Sequence, residues 1–167
     1  MASRFESAFA AYRIARGDVP AFDGSGAFRW GSRWTHPGRY VIHAAENYSL
    51  AVLETLVHFN LGELPPRLIV VQLTIPAEVS REVLKAEELP DWHRARPYAA
   101  SRSYGDKWYD EGRSAVLIVP SVLSPFERNV LINAQHAQSR SIEVGEPYPA
   151  SLDERLRALL AFRRTKS

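Results

Sequence analysis

The sequence predicts one domain of the α+β class, a mainly antiparallel twisted sheet with flanking helices. Three observations predict it. Short runs rich in β-branched residues, Arg67 to Pro76 and Ser114 to Val119, are too brief between their breakers for helices and read as strands. Helical patterning appears between such runs, most clearly over residues 48–60. The two kinds of element are interspersed without a strict strand–helix–strand period, which argues against a parallel sheet. A chain of 167 residues, 46% hydrophobic and 24% charged, suits a single core and is not of disordered composition. No repeat or linker divides it, so residues 1–167 are expected to form one unit.

Taken in order, residues 1–11 read as a loose or helical lead-in and Tyr12-Arg13-Ile14 as a short strand. Phe22-Asp23-Gly24-Ser25-Gly26 carries two glycines and reads as a hairpin turn. Arg16-Gly17-Asp18 matches an adhesion tripeptide in letters only. Pro37-Gly38 turns the chain into a strand over residues 40–45. Asn47 is placed to cap the helix that follows, and Gly62 to end it. At about 100° per residue, Leu50, Leu53, Val57 and Leu61 form one apolar stripe with Glu54 in its middle and His58 beside it.

Beyond the Arg67 to Pro76 strand, Val79 to Leu89 reads as a charged helix or irregular segment. A loop then runs from Pro90 through Arg94, Arg96 and Pro97. Ser103 to Glu111 reads as a helix stopped by Gly112. Ser124-Pro125-Phe126-Glu127 has the cap, the proline and the acidic residue of a helix start. Asn129 to Asn133 and Ser139 to Val144 read as short strands, and Leu152 to Arg163 as a last helix.

Composition excludes several classes of function. There is no cysteine, hence no disulfide, thiolate metal site or cysteine nucleophile, and a reducing cytoplasm is the expected setting. The first residues carry Arg4 and Glu6 without a long apolar run, and no stretch of about 18 apolar residues exists, so neither a signal peptide nor a membrane span is expected. A net charge of +2, from 21 basic and 19 acidic residues, is too small to indicate a nucleic-acid partner. The five histidines lack metal-site spacing, so no metal is expected. No phosphate-binding glycine loop and no nucleophile elbow of the G-x-S-x-G type are present.

Four residues remain as candidates. A carboxylate on the apolar side of a short helix is costly unless paired, which singles out Glu54. Its partner is either a structural cation (Arg33, Arg39 or His58) or a functional group, since perturbed carboxylates gather at active sites. Arg33, between Trp30 and Trp34, is either a two-pronged clamp for phosphate or carboxylate or a surface arginine stacked on a tryptophan. Ser121 follows a buried strand, where loops meet ligands, but it also reads as a plain turn serine after Pro120. His43 shares a strand face with Val41 and Ala45.

The chain resembles the RES-domain family, named for an Arg, a Glu and a Ser. The resemblance rests on Tyr12-Arg13-Ile14, Asp23-Gly24-Ser25-Gly26-Ala27, Gly31-Ser32-Arg33-Trp34, Val41-Ile42-His43-Ala44-Ala45 and the run from Leu50 to His58. It continues through Gly105-Asp106-Lys107-Trp108, Val119-Pro120-Ser121 and Leu131-Ile132-Asn133, so the motif-bearing core runs from about residue 12 to 155. The family has Tyr where His43 stands and Asn where Thr35 follows Trp34. The resemblance implies a fold like the ADP-ribosyltransferases of the diphtheria-toxin kind, and a bacterial toxin held by an Xre-like antitoxin. It implies NAD as substrate, cleaved between nicotinamide and ribose by hydrolysis or phosphorolysis. The alternatives are transfer of ADP-ribose to a protein acceptor, or a weakly active member that serves to dock the antitoxin. On this resemblance Arg33, Glu54 and Ser121 are the catalytic residues, and His43 lines the NAD site with them.

Overall fold

The runs of β-branched residues assemble side by side, and the order in which they do so fixes where the functional side chains lie. A computed structural model describes residues 5–58, 65, 67–150 and 152–156. Its strands are β1 (Phe9–Arg16), β2 (Val41–Ala45), β3 (Leu68–Ile75), β4 (Arg81–Val83), β5 (Val116–Pro120), β6 (Arg128–Asn133), β7 (Glu143–Val144) and β8 (Tyr148–Pro149). They form one sheet in the order β4-β5-β6-β2-β1-β3-β7, with β8 also on β3. Only β4 and β5 run parallel. The helices are α1 (Ser25–Trp30), α2 (Tyr48–His58) and α3 (Ala99–Asp110). The α+β class with a mainly antiparallel sheet is therefore the observed one. No helix among the described residues is long and apolar enough to cross a membrane.

Strand alternation sends side chains to two faces. Ile42, Ala44, Ile118, Val130 and Ile132 join Ala11, Val71 and Leu73 in one apolar cluster. Val41, Leu117, Val119 and Leu131 point the other way and pack with Trp34 and Trp108. Burying either set stabilises the sheet by about 25 cal/mol per Å² of apolar surface. The sheet is unevenly stitched. Eight register pairs join β1 to β3 and five join β2 to β6, but β1 meets β2 only at Tyr12↔Ala45. Where those two strands part, Arg13 fills the gap. Its guanidinium donates to the carbonyls of Ala21, His43 and Asp23 at 2.6, 2.8 and 3.1 Å. Burial works against its charge and lowers its pKa, and Asp23 offsets part of that.

Several expectations are corrected. The lead-in of residues 1–11 instead supplies the start of β1, which begins at Phe9. The glycines near Phe22 do not make a hairpin: Ser25 begins α1. Asp23 closes that turn by accepting from the Ser25 amide at 3.1 Å and from its hydroxyl. The charged stretch after Val79 is a short strand, β4, then a single helical turn over Ala86–Glu88. Helix α3 starts at Ala99, ahead of the expected Ser103. No helix starts at Ser124. The Glu127 amide returns to the Ser124 carbonyl in a turn, and the Glu127 carboxylate accepts from the Asn47 side chain. Ser139 sits in a helical turn over Ala137–Ser141, leaving only Glu143–Val144 as strand. Gly62, Leu61 and most of the expected last helix lie outside the described residues.

One glycine position is required by close approach. Helix α3 crosses directly over the segment that carries Arg33, and a Cβ on Gly105 would lie 1.9 Å from the Trp34 carbonyl oxygen. Only a residue without a side chain lets the two backbones meet there.

Candidate active site

Helix α2 begins as the sequence expects: the Asn47 side chain accepts from the Leu50 amide at 2.8 Å, a cap for one of the free N–H groups of the first turn. Its buried residues are Leu50, Ala51 and Leu56, while Leu53 and Val57 are 44% and 58% exposed. The apolar stripe is thus not the seam of the helix. Glu54 is half-buried, one turn after Leu50, and it faces the sheet through polar contacts.

Those contacts come from two neighbouring strands. The Ser121 hydroxyl, just past β5, donates to Glu54 Oε1 at 3.0 Å. The Asn129 side-chain amide, on β6, donates to the same oxygen at 2.6 Å. Ser121 is itself fixed, because its oxygen accepts from the amides of Leu123 and Ser124 at 3.1 and 3.3 Å. One donor and two acceptor positions are all that a serine hydroxyl has. Ser121 is spent on holding Glu54. The second carboxylate oxygen, Oε2, receives neither bond.

Register explains the convergence. Asn129 lies opposite both Val119 on β5 and Ala45 on β2, and His43 lies opposite Leu131. Counting by twos, His43, Ala45, Asn129, Leu131, Val119 and Ser121 share one face, and Glu54 is bonded to it from α2. His43 as a residue is partly exposed, but its Nε2 is covered and has no hydrogen-bond partner; Asn129 Oδ1 is likewise covered and without a partner. Desolvation, helped by the positive fields of Arg13 and His58, lowers the His43 pKa to about 4, and the Val41 backbone opposes this weakly. His43 is therefore a neutral imidazole at neutral pH.

Arg33 stands apart from this group. No hydrogen bond or ion pair joins it to Glu54. Its Nη1 donates to the carbonyls of Arg94 and Trp92 at 2.9 and 3.4 Å, and its guanidinium lies 4.3 Å from the centre of the Tyr98 ring. The segment beneath it is pinned to α3: Ser101 donates to the Arg33 carbonyl, and Arg102 to that of Ser32. Arg39, another expected partner for Glu54, pairs instead with Asp106 and Asp110. The structure thus brings Glu54 and Ser121 together and places Arg33 on a separate corner.

Asn129 is the residue that sequence reasoning missed. The available signal was the spacing of Asn129 and Asn133 around Val-Leu-Ile, which puts polar side chains on the Leu131 face of an otherwise apolar strand. An open groove of about 460 Å³, lined in part by Tyr12, Tyr48, Gln72 and Tyr148, includes none of these residues. Among the described residues no group of three or more His, Cys, Asp or Glu side chains is arranged to hold a metal.

Comparison with known proteins adds to this geometry. The chain is 41% identical over 123 residues to a Prs ADP-ribosylating toxin of Sphingobium, covering 72% of this chain and 76% of that one. It is 36% identical over 125 residues to Toxin Res of Photorhabdus laumondii, covering 73% and 80%. It is 32% identical over 150 residues to Toxin Res of Yersinia enterocolitica, covering 87% and 98%. Its fold matches a chain in the crystal structure of the M. tuberculosis MbcT-MbcA toxin–antitoxin complex, with a TM-score of 0.73, 14% identity, and coverage of 95% and 90%. The RES domain model matches residues 10–153, and the chain belongs to the RES-domain family.

Proposed function

We propose that this chain is the toxin of a toxin–antitoxin pair, and that it binds NAD and cleaves the bond between nicotinamide and ribose. The observation that carries the chemistry is the tethering of Glu54. Two strand-borne donors hold Oε1, so Oε2 is presented in a fixed direction. The names of the Sphingobium and Photorhabdus relatives support the toxin reading, and the former supports NAD as the source of ADP-ribose.

The bond from the nicotinamide ring nitrogen to ribose C1′ breaks, and its electron pair leaves with nicotinamide. Positive charge develops on the ribose as an oxocarbenium ion, as in glycoside hydrolysis. Glu54 Oε2 accepts from the ribose 2′-hydroxyl and stabilises that charge. Ser121 and Asn129 act through Glu54. Arg33 grips a phosphate of the dinucleotide and orients it. His43 lines the nicotinamide side. Water or phosphate then forms the new C1′–O bond: water passes its extra proton to bulk solvent and leaves ADP-ribose, and phosphate leaves the 1-phosphate of ADP-ribose. The partner is an antitoxin of the Xre-like kind, a reading supported by the fold shared with a chain of a toxin–antitoxin complex.

The test is NAD consumption by the purified chain, with and without phosphate, beside Glu54→Gln. The variant should turn NAD over on the order of a hundredfold more slowly with its fold intact. Equal turnover would remove Glu54 from the chemistry. A second reading, transfer of ADP-ribose to a protein, is favoured by the name of the Sphingobium relative. It predicts that NAD label appears on a protein. If NAD is not consumed and no label appears on a protein, a docking module for the antitoxin is what is left.

A further inference from the structure

Cations taken partly out of water without a counter-ion need a reason, and the fold gathers several of them at Tyr98. The guanidinium carbons of Arg33, Arg102 and Arg96 lie 4.3, 5.5 and 5.8 Å from the centre of that one ring. Arg33 and Arg102 are half-buried, and Arg96 is exposed. Among the described residues none of them pairs with a carboxylate. Asp91 of the same loop is spent on Arg94, and Asp106 and Asp110 of α3 are spent on His36 and Arg39. Helix α3 starts here with no side-chain cap and no acidic residue in its first turn, so its positive end adds to the field instead of relieving it. Stacking on a ring offsets only part of the cost of drying and crowding like charges.

The donors are left over as well. A guanidinium has five N–H groups to give. Arg33 uses Nη1 on the carbonyls of Trp92 and Arg94, and Arg102 uses Nε on that of Ser32. Among the described residues Nε and Nη2 of Arg33, both Nη groups of Arg102 and all of Arg96 have no acceptor. The carbonyls fix two of the side chains in place and leave their charge intact. The rings here are in use: Tyr98 carries the guanidiniums, and Trp92 packs on Trp34 and His93, which argues against a stacked base. A carboxylate would bring one charge and two oxygens. A phosphate bonded through one oxygen, or free phosphate, brings nearly two charges at neutral pH and three open oxygens.

We propose that Arg33, Arg96 and Arg102 form one site for a doubly charged phosphate group. This exceeds what NAD itself needs, since its two linked phosphates carry one charge each. Resting on the reading that Arg33 also holds NAD, the group has two sources. One is inorganic phosphate seated beside the dinucleotide, and the other is the 2′-phosphate of NADP.

The experiment is calorimetric titration at one ionic strength and at about pH 7.5, where phosphate is mostly doubly charged. Inorganic phosphate goes into the wild type, Arg96→Gln and Arg102→Gln. NAD and NADP go into Glu54→Gln, with and without Arg96→Gln. Arg96 makes no hydrogen bond among the described residues, so its loss reads the site and not the fold. Phosphate, or NADP in preference to NAD, should bind about tenfold more weakly once either arginine is removed. A tenfold preference for NADP that Arg96→Gln abolishes puts the phosphate on the dinucleotide. Phosphate binding with NAD and NADP held alike makes free phosphate the source. Phosphate bound with neither dinucleotide bound keeps the site and removes the NAD reading. No phosphate binding together with no preference for NADP, or binding that either arginine variant retains in full, overturns the proposal.

Discussion

Glu54 and Arg33 are both charged and both half-buried, yet they are held by different means. Glu54 is gripped at one oxygen by side chains from the end of β5 and from β6, strands locked together by five register pairs. Arg33 rests on carbonyls of a loop and on the ring of Tyr98. Arg96 and Arg102 approach the same ring at 5.8 and 5.5 Å, and among the described residues none of these three arginines pairs with a carboxylate. Tyr98 itself sits at φ +62°, a left-handed conformation that bulky residues rarely adopt. The contrast fits the two jobs proposed for these residues. A charge that must face a developing cation needs a fixed direction, and paired strands supply it. A charge that must receive an anion needs its own counter-ions kept away, and stacking on an aromatic ring holds a guanidinium without neutralising it.

The comparison breaks most sharply at Gly105. An added methyl there meets the Trp34 carbonyl, so Gly105→Ala must push α3 off the segment that carries Arg33. A destabilisation of about 3 kcal/mol or more is expected from overpacking against backbone. Chemical denaturation measures it. The hydrogen bonds that hold Glu54 come from Ser121 and Asn129 and involve neither Gly105 nor Trp34, so at temperatures where the variant is still folded, dinucleotide binding should weaken more than the Glu54-dependent rate. A variant as stable as the wild type would mean that α3 does not bear on the Arg33 corner as described.

How much of this was legible follows from how far each contact reaches along the chain. The Asn47 cap and the strand runs are local, and the sequence reading of α2, β3, β5 and β6 is close to the observed elements. The family resemblance singled out Glu54 and Ser121, which lie 67 residues apart and share a hydrogen bond. The stripe argument singled out Glu54 for an incomplete reason, because Leu53 and Val57 face outward and the polar contacts of Glu54 come from the sheet. Asn129 was read only as the edge of a strand. Its importance depends on the register of β6 with two partners, which no local pattern specifies. The false helix start at Ser124 fails for the same kind of reason: Asn47, 80 residues away, takes the Glu127 carboxylate that a capping box would use.

A pH experiment sharpens the comparison on the side of the Glu54 face. The His43 pKa is about 4 in the folded chain, below the ordinary value of 6.5. Between those two values the unfolded chain binds the extra proton, so this group's contribution to stability is complete above pH 6.5 and falls away as the pH drops towards 4. At about 1.4 kcal/mol per unit of pKa, and with some screening because His43 is partly exposed, the loss is about 2–3 kcal/mol. Denaturation curves of the wild type and His43→Leu between pH 7 and pH 4 should diverge by that amount, the variant losing less. Parallel curves would mean that the imidazole is solvated.

The smallest effect tests how the carboxylate is held. Ser121 has no hydrogen-bonding capacity left for a substrate, since its proton is on Glu54 and its oxygen takes two backbone amides. Ser121→Ala should therefore act on the rate and leave binding nearly alone: kcat lower by about tenfold to thirtyfold, or about 1.4–2 kcal/mol, with KM almost unchanged. Ser121→Thr keeps the hydroxyl and should recover most of the rate. The opposite pattern, a raised KM with kcat intact, would place the Ser121 hydroxyl on the substrate and leave Asn129 as the tether of Glu54. The kcat pattern would assign the serine of the family's name to the carboxylate it steadies, and the contrast with Arg33 would then hold at the level of single atoms.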